Sequence, residues 1–288
     1  MHRGIDHLVI AAHDLDDLSA LYRRLGFTVT PRAHHDWGTD NALVQLQGNF
    51  LELLTVAYPE KLLPERDGHF DFGRHNQRFL ASKQGMSMLV YESRDALADR
   101  EEFIERGLPD WANFHFSREA KLPDGGTATV SFSLAFASEP SMPLTGFFTC
   151  QQHAPELFWK TQYQEHANTA QVVSEVIMVA DTPRELGDYL AAMQEPESLA
   201  VVSDNVQIDT PRGIVSVLSP GAAQARFGPL SGLGASTEPR FLGFAIQVAD
   251  IGKAEKVLSS AGVAYSQRDG RLQLAPEVTS GSLVEFHE

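Results

Sequence analysis

The segment GIDHLVIAAHDLDDLSALYRRLGF, residues 4–27, is the clearest indication of the fold of this chain. Its first half is a short apolar run, and the residues after Asp14 place leucines and a tyrosine at helical spacing. Asp14 is a favourable helix N-cap, and Gly26 is a favourable residue just beyond the C-terminal end of the helix. Three strand-like segments follow, FTVTPR, ALVQLQ and NFLELLTV, so this region predicts a β-α-β-β-β unit.

The same order of apolar run, aspartate and helix-like segment returns three times in the chain. The later runs and their aspartates are residues 86–92 before Asp95, 173–180 before Asp181 and 241–249 before Asp250. Four such units predict an α+β protein in which each half contains two units. The predicted organisation is a first domain over residues 1–155, a connecting segment over 156–171 and a second domain over 172–288.

Two segments do not fit the repeats. Residues 57–84 form a long insertion in the first half, and a loop of that length in a compact domain is usually functional or a lid. Residues 219–240 are rich in glycine, proline and alanine, and we interpret them as a plain linker.

The composition narrows the class of protein. Hydrophobic residues make up 43% and charged residues 21% of the 288 residues, as is typical of a globular, water-soluble chain. The formal net charge of -15 argues against nucleic acid and anionic membrane surfaces as partners. Cys150 is the single cysteine, so no intramolecular disulfide is expected. No signal peptide or membrane span is apparent, and we expect a cytoplasmic location.

The segment GNFLELL, residues 48–54, places Glu52 in the middle of an apolar run. An unpaired buried carboxylate costs several kcal/mol, so we expect Glu52 to face a partner or a cleft. Counting back seven residues from Asp14 gives His7 as the matching position on the first strand. The same count in the later units gives Met88, Ser174 and Gly243. On the closing strands a glycine lies four residues before each matching position, which gives Glu52, Cys150, Val217 and Glu285.

The second half offers few chemical groups at these positions. Glu285 is a ligand type for metals, and Glu175 would be a second one if the register shifted by one residue. One carboxylate does not make a site, so we interpret this half as structural or as binding an organic ligand without a metal.

Repeated units with a histidine on the first strand and a glutamate on the last resemble the vicinal oxygen chelate superfamily. Glyoxalases, extradiol dioxygenases and bleomycin-resistance proteins belong to it. The motifs IDHLV, LGFTVTPR, WGTDN and LEL in residues 5–54 resemble more closely the opening of the glyoxalase-like domain family. This resemblance implies that the four units pair into two half-open mixed β-barrels, each with a cleft inside.

The resemblance also implies a set of site residues in the first barrel. Metal-dependent members bind a divalent ion through ligands on the first and last strands, and His7 and Glu52 match those ligands in type and position. Met88 and Cys150 do not match, so the metal (Zn, Mn, Ni or Fe) needs a third ligand, for which we select His153. Without a metal, Glu52 and His7 would be an acid/base pair.

Several neighbouring residues are candidates for contacts with a substrate. In this family Trp37 and Asn41 would line the cleft, and Cys150 lies on the closing strand. Gln151 offers a neutral oxygen, although strand alternation directs it to the face opposite Cys150. His34 and His35 either reach the mouth of the cleft or lie exposed in their loop.

Three functions remain open from the sequence. The first is a metal-assisted lyase or isomerase that acts on a small oxygen-rich or aromatic metabolite with Glu52 and His7. The second is a non-catalytic protein of the bleomycin-resistance type that sequesters its ligand. The third is an extradiol dioxygenase, which would need a triad of two histidines and a glutamate. The expected partner is a small molecule, and exposed strand edges would allow a homodimer.

Overall fold

Each predicted repeat folds as one strand, one helix and three further strands. The computed structural model describes residues 2–121, 126–230 and 238–288. The elements of the N-terminal half are β1 (Ile5–Ala11), α1 (Leu15–Arg24), β2 (Ala33–His34), β3 (Thr39–Gln45), β4 (Phe50–Val56), α2 (Phe72–Leu80), β5 (Gly85–Glu92), α3 (Ala96–Glu105), β6 (Phe114–Lys121), β7 (Thr127–Phe136), β8 (Gly146–Gln152) and α4 (Pro155–Phe158). Those of the C-terminal half are β9 (Ala170–Val179), α5 (Pro183–Ala191), β10 (Leu199–Val202), β11 (Asn205–Asp209), β12 (Ile214–Leu218), α6 (Pro220–Phe227), β13 (Arg240–Val248), α7 (Ile251–Ser260), β14 (Ser266–Arg268), β15 (Arg271–Leu274) and β16 (Leu283–His287).

The strands form two eight-stranded mixed sheets. Their orders are β2-β3-β4-β1-β5-β8-β7-β6 and β10-β11-β12-β9-β13-β16-β15-β14. Within a unit the first and last strands pair in parallel, and the first strands of two units pair antiparallel at the centre of the sheet. The α+β class with four paired repeats is therefore confirmed, while the division into domains at residues 155 and 172 stays a prediction.

Aspartate caps explain three of the four helix starts. The side chains of Asp14, Asp95 and Asp250 accept N–H groups from the first turns of α1, α3 and α7. In the third unit the helix begins one residue later than the aspartate pattern indicates, because Pro183 occupies the first turn and Thr182 is the N-cap.

Strand β1 separates the two apolar interiors of the N-terminal half. It is buried along its whole length, and its side chains alternate between the two faces of the sheet. Leu8 and Ile10 belong to a large core to which both halves contribute. Val9 belongs to a second cluster on the opposite face, where the sheet curves around a hollow.

None of the helices in the described ranges is long and apolar enough to cross a membrane.

Both segments outside the repeats contain helices. Residues 57–84 hold the helix α2, so the prediction of a long loop is wrong there; Asp71 caps this helix, which places Phe72 against the hollow. The plain-linker prediction for residues 219–240 is wrong for Pro220–Phe227, which form α6. Ser219 caps that helix and Pro220 occupies its first turn, two start signals present in the sequence. Residues 231–237 of this segment lie outside the described residues.

Candidate functional site

The inner face of the N-terminal sheet surrounds a hollow lined mainly by apolar side chains. Its empty space, with the open mouth included, is about 570 Å³. The apolar lining residues are Trp37, Leu43, Phe50, Phe72, Phe114, Phe116, Phe132, Leu134, Phe148 and Phe158.

His7 and Glu52 lie together in this hollow. Strands β1 and β4 are parallel neighbours, with His7 beside Phe50 and Val9 beside Glu52, so both side chains project to the same face. The distance from His7 Nε2 to Glu52 Oε2 is 3.8 Å, and both residues are buried. The structure thus brings together the two residues that the sequence spacing selected.

A second acidic residue, Asp6, supports His7. The pairing of β1 with β5 shifts in register between Ile5 and His7, and this irregularity brings the Asp6 and His7 side chains together despite their adjacency in the strand. His7 Nδ1 donates to Asp6 Oδ2 at 2.6 Å, and Gln152 Nε2 donates to Asp6 Oδ1 at 3.0 Å. A carboxylate on Nδ1 leaves Nε2 of His7 directed at the hollow.

Asn41 orients Glu52 and also lines the hollow. Its Nδ2 donates to Glu52 Oε1 at 2.6 Å, so the observed partner of Asn41 is the glutamate that faces the same cavity. Two buried polar atoms at the hollow, Asn41 Oδ1 and Trp37 Nε1, have no hydrogen-bond partner among the described residues. Buried polar atoms are normally paired, so these two are available to a ligand.

The sequence did not single out Arg118 and left His35 undecided. His35 lines the hollow, stacks on Trp37 at 4.4 Å between ring centroids, and contacts Thr39 Oγ1 through Nδ1 at 2.8 Å. Burial lowers the pKa of His35, which favours the neutral imidazole. Arg118 follows Phe114 and Phe116 at two-residue intervals on β6, and that alternation is the signal which would have placed it on the inner face. His34, in contrast, is exposed and contacts Asp40.

Two predicted site residues lie outside the hollow. His153 is exposed and its Nε2 contacts Ser133 Oγ at 2.8 Å, so it is not a third ligand beside His7 and Glu52. Gln151 faces away because strand side chains alternate: its Oε1 accepts the Ala96 N–H at 3.2 Å, at the start of α3. Both assignments to the site are therefore corrected.

Cys150 lines the hollow as the sequence suggested. Burial raises the pKa of its thiol well above the ordinary value, and the charges of Asp6 and Glu52 add to the effect. A neutral thiol is a poor nucleophile and a poor metal ligand. Cys150 therefore contributes an apolar wall to the site.

The donor set does not fit the divalent metal that the superfamily implies. No group of three histidine, cysteine or acidic side chains with metal-binding geometry occurs within residues 2–121, 126–230 and 238–288. Met88 lies against Gly146 and near Asn76, whose Nδ2 is 3.7 Å from the Met88 sulfur. His7 and Glu52 alone are two donors, one fewer than catalytic zinc sites use.

We therefore expect the purified protein to retain much less than one equivalent of Zn, Mn, Ni or Fe. Elemental analysis before and after dialysis against EDTA measures the content, and the melting temperature with and without chelator measures any stabilisation by a metal. Near-stoichiometric metal that disappears in a Glu52→Gln variant would contradict this expectation.

Comparisons with known proteins agree with the observed fold. A family model described as a glyoxalase-like domain matches residues 5–193. A hypothetical protein from Staphylococcus aureus is similar in structure, with a TM-score of 0.66, 13% identity and coverage of 99% of both chains. A mutant of 4-hydroxymandelate synthase from Streptomyces coelicolor is similar with a TM-score of 0.59 and 12% identity over 99% of this chain and 92% of that one.

A third similar structure is a fusion of a xylose isomerase-like TIM barrel with a 4-hydroxyphenylpyruvate dioxygenase. Its TM-score is 0.54 and its identity 12%, over 99% of this chain and 49% of that one. At such identities the likeness concerns the fold. A comparison with curated protein sequences found no significant match.

Proposed function

The chain belongs to the glyoxalase-like domain family, and from this premise we propose that the hollow of its N-terminal sheet binds a small aromatic or oxygen-rich metabolite and transfers a proton on it. One observation carries the proposal: a histidine held by Asp6 and a glutamate held by Asn41 face each other inside an apolar hollow. The reaction class that suits this arrangement is an isomerisation or an elimination of the lyase type.

The apolar lining and two unpaired polar atoms support the binding part of the proposal. Trp37 meets Phe114 and Phe116 edge to face, with ring centroids 5.1 and 4.8 Å apart, and these rings suit a flat ligand. Trp37 Nε1 can donate to a ligand oxygen, and Asn41 Oδ1 can accept from a ligand N–H or O–H group.

The hydrogen bonds around His7 and Glu52 support the proton transfer. Asp6 accepts the proton on His7 Nδ1, so Nε2 of the neutral ring is a base and Nε2 of the cationic ring is an acid. Asn41 holds one oxygen of Glu52, and the other oxygen lies 3.8 Å from His7 Nε2. That distance exceeds a hydrogen bond. A ligand atom beside both groups would therefore lose a proton to one and receive a proton from the other.

The density of rings in the hollow favours one alternative, sequestration of a ligand without chemistry. Phe116 also stacks on Phe132 at 5.0 Å, so aromatic side chains from β6 and β7 form a continuous wall. Such a wall binds a planar molecule whether or not His7 and Glu52 react with it. The two functions differ in one measurable respect, which is the exchange of ligand protons with solvent.

A Glu52→Gln variant is expected to slow ligand proton exchange by about 10²–10⁴-fold, as loss of a general acid or base does. Glutamine keeps the size of the side chain and an acceptor for Asn41 Nδ2, so the fold and the ligand site should remain. Ligands would first be selected by thermal shift among small aromatic and carbonyl compounds. Deuterium incorporation from D₂O, followed by proton NMR, then measures the exchange rate.

Glu105→Gln is the matched control, because Glu105 is exposed at the end of α3 and lies outside the hollow. The control should exchange ligand protons at the wild-type rate. An unchanged rate in the Glu52→Gln variant would contradict the role of Glu52. Tight binding with no exchange by the wild-type protein would favour sequestration instead.

A further inference from the structure

Arg118 stands at the boundary between the hollow and an outer cleft. It lines the hollow with Phe114 and Phe116, and it also lines the neighbouring cleft that contains Lys160 and Tyr163. The two cavities share Asn41, Leu43 and Phe158 as well, so Arg118 belongs to the wall between them. A ligand in the hollow would therefore have the Arg118 side chain in the wall beside it.

The Arg118 side chain is half-buried, and the part of the chain that the structure describes offers its guanidinium no direct partner. No hydrogen bond or ion pair to it occurs among residues 2–121, 126–230 and 238–288, whereas Arg226, also partly buried, binds two carboxylates. Burial lowers the pKa of Arg118 and the charge of Glu52 partly offsets this, yet an arginine remains protonated at neutral pH. A desolvated cation without a counter-ion is unfavourable, and a bound anion would compensate it.

We infer that Arg118 binds the carboxylate of the ligand, which makes the ligand class a small monocarboxylate with an apolar, ring-containing body. This inference rests on the proposed function of the hollow. The planar guanidinium matches a carboxylate with two parallel hydrogen bonds. The ring of the ligand would then pack beside Phe114, Phe116 and Phe132, which line the same hollow as Arg118.

The charges in the hollow also set the orientation of such a ligand. Glu52 is the acidic side chain among the residues that line the hollow, and it would repel a carboxylate placed beside it. Arg118 would attract the same carboxylate to the side of the hollow that adjoins the cleft lined by Lys160. An uncharged or reactive part of the ligand is therefore the part that meets His7 and Glu52.

The test compares two probes of equal size, 3-phenylpropionate and its neutral amide, 3-phenylpropionamide. Ligand-observed NMR titration gives both dissociation constants for the wild-type protein and for an Arg118→Gln variant. We expect the carboxylate to bind the wild-type protein about 10-fold tighter than the amide, as a charge-assisted pair does. The variant should lose this preference while its affinity for the amide stays unchanged.

Arg184→Gln is the control for net charge, because Arg184 is exposed on α5 and pairs with Asp188 in the same helix. It should keep the preference for the carboxylate. Equal binding of both probes by the wild-type protein would overturn the role of Arg118 and leave the proposed hollow intact. Loss of both probes in Arg118→Gln would also overturn it, since the residue would then be structural. Failure of the wild-type protein to bind either probe would overturn the assignment of a ring-containing monocarboxylate, while the proton-exchange experiment tests the proposed function separately.

Discussion

Replacing Arg226 by alanine is expected to lower the free energy of unfolding by about 3–5 kcal/mol, the usual effect of breaking a buried ion pair. Arg226 extends from α6 into the C-terminal sheet, where Nη1 and Nη2 bind the two oxygens of Glu175 at 2.6 and 2.7 Å. Nη2 also binds Glu285 Oε2 at 2.7 Å. Both glutamates are buried, so the variant would leave two desolvated carboxylates without their main counter-ion.

Arg184→Ala is the control for this experiment, because its helical pair with Asp188 is exposed and should contribute less than about 1 kcal/mol. Urea unfolding at pH 7 measures both variants. If Arg226→Ala loses no more unfolding free energy than the control, the expectation is wrong. In that case the two glutamates would be stabilised without Arg226, either by water or by Arg271, whose Nη1 lies 3.4 Å from Glu285 Oε2.

The stabilisation by Arg226 also has a defined pH dependence. Burial raises the pKa of Glu175, but the hydrogen bonds and charge of Arg226 outweigh it and hold this pKa below the ordinary value of 4.5. The contribution is therefore complete above pH 4.5 and is lost as the pH falls through the lowered value of the folded state. The difference between the wild-type protein and Arg226→Ala should shrink over that interval.

The two sheets share one topology but differ in what their carboxylates face. In the N-terminal sheet Glu52 faces an open hollow and contacts Asn41, whereas in the C-terminal sheet Glu285 accepts hydrogen bonds from Arg226 and Gln273. Arg226 lies against the carboxylates of Glu175 and Glu285, so these groups already have a partner within the chain. Among the described residues, it is therefore the N-terminal sheet in which a histidine and a glutamate face an open hollow together.

Local patterns predicted the repeats and the meeting of His7 with Glu52. Helix caps and strand alternation depend on residues close in the chain, and the parallel pairing of first and last strands is the same in every unit. Counting back from the helix-start aspartate for His7 and forward from Gly48 for Glu52 therefore gave the correct face for both residues. The count from the aspartate was one residue off in the third unit, where Glu175 and not Ser174 meets Arg226.

Long-range packing explains what the sequence did not predict. Asp6 reaches His7 through a shift in strand register, which no periodic pattern reveals. Arg118 follows the local alternation on β6, but that β6 borders the same hollow as β1 and β4 depends on how the whole sheet curves, as does the approach of His35 from the segment that joins β2 to β3. Glu175 and Glu285 bind Arg226 on α6, and we did not predict this helix because its segment is rich in glycine, proline and alanine.

His75 gives the protein a second pH dependence, located in the insertion over residues 57–84. Its ring is buried on α2 near Phe70, and Nε2 lies 3.4 Å from the Ser87 carbonyl oxygen. Burial lowers the pKa of His75 from 6.5 to about 4. Between pH 6.5 and about pH 4, His75 is protonated in the unfolded chain but not in the folded state. The free energy of unfolding therefore falls as the pH decreases through this interval.

The expected loss is about 2 kcal/mol between pH 6.5 and 5, at about 1.4 kcal/mol per pH unit for one proton. Burial also lowers the pKa of His35 and His166, which add to the slope in the same direction. A His75→Gln variant should therefore flatten the plot of unfolding free energy against pH without abolishing it. The slope is informative even if the variant is less stable at every pH, because glutamine does not titrate. His69→Gln is the control, because His69 is exposed, and it should keep the wild-type slope. If His75→Gln also keeps the wild-type slope, the expectation is wrong, because His75 then takes up its proton without unfolding of the protein.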